Sequence, residues 1–226
     1  MNKGLRIKIA FLLLAIHCLS ANVSSLSAEP QGQNPPAQAD KPDGGTWTGS
    51  TYKNEYFGLT LTIPQAWQVQ DSSFRKQINE KGKELVTSDD PTTKSELNRA
   101  MDNTVNLLIV TQYPLGEARP FNSMLICGAE KVPAGVSTDA DYMGALKNTL
   151  KYSQVPITIE RDVYSEQLGR VTFSVIDFKS NYSGTIVSQK YYAHIMKSYT
   201  LFFIVIYQTD EQLKTHNEIL KSVALR

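Results

Sequence analysis

Few side chains here are able to do covalent or acid–base chemistry. The 226 residues include two cysteines and three histidines. Cys18 and His17 fall in an apolar N-terminal run, which leaves Cys127, His194 and His216. A thiolate beside an imidazole is a nucleophile, and such partners are often distant in sequence. Cys127 with His194 is therefore the conceivable pair for a hydrolase or transferase. Against it, free cysteines are among the most buried residue types, and Met124-Leu125-Ile126-Cys127 reads as core. His194 lies inside a β-rich run, where a hydrogen-bonded structural histidine is expected, and His216 is expected on the solvent face of a terminal helix. Neither has a second histidine or an acid at metal-ligand spacing, so no metal and no cofactor is expected. Gly-x-Ser-x-Gly, His-Glu-x-x-His, Cys-x-x-Cys and phosphate-binding glycine patterns are all missing, which counts against the commonest enzyme classes. Asp89-Asp90 and Asp139-x-Asp141 are tight acidic pairs of a kind that binds hard cations weakly. Both stand at expected helix starts, where acids satisfy free backbone amides, and the capping reading is favoured.

The other chemical accumulation is tyrosine. Tyr182, Tyr191, Tyr192, Tyr199 and Tyr207 gather around the last pair of β-rich runs. The first four form a candidate interaction surface, since tyrosine suits contacts with one dry and one wet side. Strand propensity and core filling account for them equally, and that reading is favoured.

These residues must be positioned by regular elements. Residues 185–195 and 199–207 read as a hairpin, the second run apolar on both alternating faces and hence a central, doubly covered strand. Thr209 or Asp210 then caps a helix with Leu213, Ile219, Leu220 and Val223 on one face. Upstream, Leu59, Leu61 and Ile63 alternate with threonines in a half-buried strand that Pro64 ends. Residues 72–86 form a helix on Phe74, Ile78 and Leu85, interrupted by Gly82, and Asp90-Pro91 starts a second over residues 92–101; both are expected at the rim. Residues 105–113 and 123–130 read as a strand pair. Ser137 or Thr138 caps a helix carrying Tyr142, Leu146, Thr149 and Leu150 on one stripe. Residues 157–162 and 171–178 are further strands, with turns at Gly169 and over residues 180–184. The fold class is α+β, a mostly antiparallel β-sheet flanked by helices.

Tyr52-x-Asn54, Phe57-Gly58, the alternating strand and then Pro64-x-x-Trp67 resemble the start of PsbP-like domains. That family is shared by the extrinsic photosystem II protein and a nuclear Ran-binding factor. The hairpin and helix of residues 185–226 resemble its ending. The resemblance implies an α/β/α sandwich. The chain departs from it where a tight hairpin turn calls for Asn-Gly or a similar pair: Met196-Lys197-Ser198 stands there, and a wider turn is expected. No metal-binding or photosystem-docking residue of the family is matched.

Lys3, Arg6 and Lys8 followed by the apolar residues 9–16 form a secretory signal, too short to span a bilayer. Cleavage is expected between Ala28 and Glu29, with Ala21 as the other small-residue site. The layout is then 1–28 signal, 29–46 Pro/Gln/Gly-rich disordered tether and 47–226 a single domain. Cys127 is left alone, so the fold must hold by its core without an internal disulfide. A domain of this size buries roughly 70% of its unfolded surface, enough for one core. Lys plus Arg number 23 and Asp plus Glu 22, and the pI of about 7.7 offers no footprint for nucleic acid or anionic membrane. The chain is expected to be a periplasmic or extracellular monomer without stable membrane insertion after cleavage. Its expected role is that of a non-enzymatic accessory module for an envelope or extracellular protein. A carrier of a small apolar ligand held between sheet and helices is the alternative, and the Cys127–His194 enzyme the second.

Overall fold

A computed structural model describes residues 42–117, 121–182 and 184–226. The signal, the Ala28–Glu29 cleavage site and the tether up to residue 41 lie outside the described residues. The molecule is built on the run of residues 199–207. Its apolar side chains alternate onto both faces, and it lies in the middle of a seven-stranded antiparallel sheet ordered β4-β5-β6-β10-β9-β8-β7. These strands are β4 (Gln68–Val69), β5 (Thr104–Thr111), β6 (Met124–Lys131), β7 (Ile157–Leu168), β8 (Val171–Tyr182), β9 (Thr185–Met196) and β10 (Tyr199–Tyr207). All but the two end residues of β10 are buried.

One face carries α1 (Ser72–Leu85), α2 (Pro91–Asp102) and α3 (Asp139–Leu150), which pack Phe74, Ile78, Leu97, Met101, Tyr142 and Leu146 against it. The other face is covered by α4 (Asp210–Lys221) together with a small antiparallel sheet. That sheet has the order β1-β2-β3-β11, from β1 (Thr46–Thr48), β2 (Thr51–Asn54), β3 (Leu59–Thr62) and β11 (Ala224–Leu225). The class is α+β: among the described residues, two antiparallel sheets are flanked by four helices. No helix among the described residues is long and apolar enough to cross a membrane.

Capping explains the helix starts. Asp71 and Asp90 accept from the amides of Phe74 and Thr93. Thr138 with Asp141, and Thr209 with Gln212, close reciprocal capping boxes. Both acidic pairs thus stand at helix starts, Asp90 and Asp141 as caps.

Four expectations need correction. Gly82 does not interrupt α1, which runs through it with the glycine buried. The β9–β10 link is tight: Met196 pairs with Tyr199, so only Lys197 and Ser198 turn the chain. Lys197 takes φ 55°, a conformation that costs a non-glycine residue about 1 kcal/mol. Its ammonium donates to the Tyr56 carbonyl and lies 4.5 Å from the Tyr56 ring centre, anchoring the turn without Asn-Gly. Strands β7 and β8 run past residues 162 and 178: β7 is outermost and needs no apolar alternation on its wet side, and β8 stays paired with β9 as far as Tyr182 and Thr185, so the turn expected over residues 180–184 is shorter. The domain also begins before Trp47: Pro42 is buried and the Asp43 carbonyl accepts from Asn54 Nδ2 at 2.9 Å.

Asn54 accounts for part of the opening motif, since its Oδ1 accepts from the Phe57 amide. Gly58 follows at φ 60°, where an added Cβ would lie 2.6 Å from the Arg226 carbonyl oxygen.

Candidate functional site

Cys127 is fully buried in β6, and burial pushes its thiol far above the usual range. It pairs across β10 with Phe203, which pairs in turn with Tyr192 of β9. His194 lies two residues further along. Strand spacing alone separates the two by roughly 10 Å or more, so the thiol and this imidazole are not brought together. His194 Nδ1 is 3.0 Å from Asp139 Oδ2, and Asp139 Oδ1 accepts from the Ile195 amide at 2.7 Å. The pair fastens the start of α3 to β9.

His216 is not on a solvent face; it is fully buried. The stripe of α4 that meets the core runs through residues 216, 219, 220 and 223, spaced i, i+3, i+4 and i+7. Its Nε2 lies 2.7 Å from Ser123 Oγ, which also donates to the Ile206 carbonyl at 2.8 Å. The hydroxyl has one proton, so Nε2–H is the donor to Ser123. Burial lowers the imidazole pKa to about 4, and the ring is neutral at pH 7. This serine and histidine touch, but the proton is directed away from the imidazole, and among the described residues Nδ1 has no hydrogen-bond partner to orient it.

The tyrosine surface is corrected as well. Tyr182, Tyr191 and Tyr192 are buried, because β8 and β9 are covered on both faces, and Tyr199 is half-buried against Tyr56 and Phe57. Tyr191 meets Tyr142 at 2.9 Å, and Tyr142 donates to the buried Glu130 at 2.8 Å. Tyr192 donates to Glu166 at 3.0 Å. Around Glu166 lies a polar cluster that spacing did not reveal, because its members come from three neighbouring strands. Lys190 Nζ is 2.6 Å from Glu166, Tyr164 donates to Asp177 at 2.9 Å, and the Arg161 guanidinium lies 3.5 Å from the Tyr164 ring centre. Burial pushes Asp177 up. It also pushes Glu166 up, but Lys190 and Tyr192 outweigh it and the carboxyl falls below its usual value. Of these, Glu166, Lys190 and Tyr192 line a cleft of about 250 Å³ together with Gln167, Asn217 and Lys221. The central groups satisfy one another. No group of three or more metal-ligating side chains occurs among the described residues.

A larger cleft, about 440 Å³, lies where β1 and β4, each the outermost strand of its sheet, come near one another. It is lined by Trp47, Gly49, Ser50, Ile63, Pro64, Gln65, Trp67 and Val69. Gly49 at φ 58° turns β1 into β2, and the Trp67 amide bonds back to the Pro64 carbonyl at 2.9 Å, which swings the indole inward against His216, 5.0 Å between ring centres. Trp47 leans on Tyr52 at 5.4 Å yet remains 38% exposed, and Val69 is 47% exposed. The lining has no ionisable side chain. Sequence reading missed Trp47 and Val69 as a pair, since they come together through two turns and share no periodicity.

No family model matches the chain and no curated protein matches it. Solved structures do. The solution structure of cyanobacterial PsbP from Synechocystis sp. PCC 6803 is similar over 80% of this chain and 98% of that one, at 9% identity and a TM-score of 0.48. LpqN, involved in cell envelope biogenesis of Mycobacterium tuberculosis, is 15% identical over 74% of this chain and 82% of its own, with a TM-score of 0.43. PA94 of Pseudomonas aeruginosa, a protein of unknown function, is 16% identical over 74% and 91%, with a TM-score of 0.41. The likeness lies in the course of the chain, and no residue role is taken from it.

Proposed function

We propose that this chain is an exported, non-enzymatic binding module that holds an apolar segment of an envelope protein in the tryptophan groove. The observation that carries this reading is the lining itself: two indoles, a proline and two aliphatic side chains, with no acid or base among them. Such a surface recognises by shape and desolvation, and tryptophan-centred pockets dominate the energetics of protein contacts. The groove performs no proton transfer, and Cys127, Ser123 and His216 lie buried behind the surface. An extended segment suits the site better than a compact ligand, because the outer edge of β1 offers free backbone groups beside the indoles. Between the large sheet and its helices, the buried Tyr142, Met143, Leu146, Phe202 and Ile204 fill the space that a carried ligand would need.

A photo-crosslinking residue placed at the exposed position 69 in producing cells tests the proposal. One defined polypeptide adduct is expected, lost on Trp47→Ala while the folded protein persists. No adduct, or one indifferent to Trp47→Ala, refutes the groove as the binding site.

A further inference from the structure

The opposite edge of the large sheet has a different chemistry. Strand β7 is outermost, and residues 157, 158 and 159 pair regularly with β8 before the register breaks between Ile159 and Arg161. Their other edge has no strand beside it among the described residues, and Ile157 and Ile159 line a cleft of about 500 Å³. Its apolar part is Leu150, Ile157 and Ile159, the last 40% exposed. Its wall on the helix side is Gly144, Lys147, Asn148 and Lys151, at i, i+3, i+4 and i+7, hence a single face of α3. That face roofs the position an eighth strand would occupy.

Gly144 is the informative residue. It stands inside a helix, where glycine is less favourable than any residue but proline, and its φ is not positive. A Cβ there would meet nothing within 4 Å. No contact among the described residues requires the glycine, and the bare backbone leaves the cleft open at its roof. The register breaks beyond Ile159 end regular pairing there, so the site accepts only a short strand and long edge-to-edge association is blocked.

From these features we infer that residues 157–159 of β7, roofed by α3, are a strand-addition site for a short, extended, acidic segment of a partner protein. The charge chooses the occupant. Lys147 is engaged by Asp162 at 2.7 Å and Glu160 by Lys179 at 2.6 Å, whereas among the described residues the Lys151 ammonium bonds only to Asn148 Oδ1, leaving a cationic surplus on the roof. A second copy joined edge to edge would set Lys147 and Lys151 against their own counterparts. Residues 29–41 of this chain carry three prolines and no large apolar side chain, and residues 3–8 carry three cations; neither suits a cationic, apolar strand site.

The test is a titration of the purified protein with a capped, fluorescent Glu-Val-Glu-Val-Glu-Val peptide and with its Lys-Val counterpart, read by anisotropy and by amide shifts in labelled protein. The Glu peptide is expected to bind roughly tenfold or more tightly than the Lys peptide, with shifts centred on residues 144 and 157–159. Gly144→Gln should raise the melting temperature and yet weaken binding roughly fivefold or more by filling the roof. Lys151→Glu should erase the preference between peptides. Equal binding of both peptides, shifts elsewhere, undiminished binding by Gly144→Gln, or self-association through β7 in sedimentation would each overturn the inference.

Discussion

The buried carboxyl of Glu130 and the buried imidazole of His216 make a quantitative prediction about stability and pH. Glu130 is 1% exposed, and burial raises its pKa from 4.5 to about 8, with the Tyr142 hydrogen bond opposing. The folded state therefore holds a proton between pH 4.5 and 8 that the unfolded chain has released, and stability falls as pH rises through that window. His216 behaves in the opposite sense. Its folded pKa of about 4 lies below the ordinary 6.5, so the unfolded chain binds the extra proton and stability rises from pH 4 to 6.5. Each unit is worth about 1.4 kcal/mol. The two slopes cancel between pH 4.5 and 6.5, and from pH 6.5 to 8 Glu130 acts alone, costing about 2 kcal/mol. Tyr142 and Tyr191 remain protonated donors throughout, because burial pushes both far up. Glu130→Gln keeps an acceptor for Tyr142 and removes the ionisation. Its stability should rise by about 3 kcal/mol from pH 4 to 6.5 and then level off. Urea unfolding followed by tryptophan fluorescence at half-unit pH steps, with m-values checked for constancy, reads both profiles. A wild-type profile flat from pH 6.5 to 8, or a Glu130→Gln variant that retains the decline, would refute the argument.

Three further outcomes are expected. Gly128→Ala places a Cβ 2.2 Å from the Phe202 ring and should cost about 2 kcal/mol or more in chemical denaturation, a loss that Phe202→Leu partly restores. Thr138→Ala removes one half of the α3 capping box and should lower stability by about 1 kcal/mol, measured the same way. Cys127 should resist thiol reagents in the folded protein and react only as fast as the chain unfolds; rapid labelling under native conditions contradicts its placement.

Much of this architecture was legible in the sequence, wherever one rule governed a stretch. Leu59, Leu61 and Ile63 announced β3 by alternation, the unbroken run of residues 199–207 announced a doubly covered strand, and the pairs Ser137-Thr138 and Thr209-Asp210 announced the starts of α3 and α4, the threonine proving to be the cap in each. His216 was misread because the face of α4 was drawn through Leu213 on polarity, whereas the i, i+3, i+4, i+7 spacing from 216 to 223 already placed the imidazole inward. Tyr191 and Tyr192 are neighbours in a strand and point to opposite faces, so their common burial depends on covers that arrive from distant parts of the chain. The groove of Trp47, Trp67 and Val69 and the cluster around Glu166 are assembled by turns and by strand neighbours. Neither arrangement leaves a period to read.

The small sheet is closed by residues far apart in the chain. Strand β11 pairs with β3, the Arg226 amide bonds to the Gly58 carbonyl, and Ser222 Oγ accepts from the Thr62 amide across 160 residues. Contacts of such separation form after local ones, because the loop must be closed before they stabilise anything. During vectorial synthesis Leu59 and Leu61 are made early and must wait for their last cover. The nascent protein therefore presents an uncovered apolar edge until the final turn of α4 and β11 has emerged. A chain halted before that point would carry this edge as a lasting mark of incompleteness, open to chaperones and proteases alike.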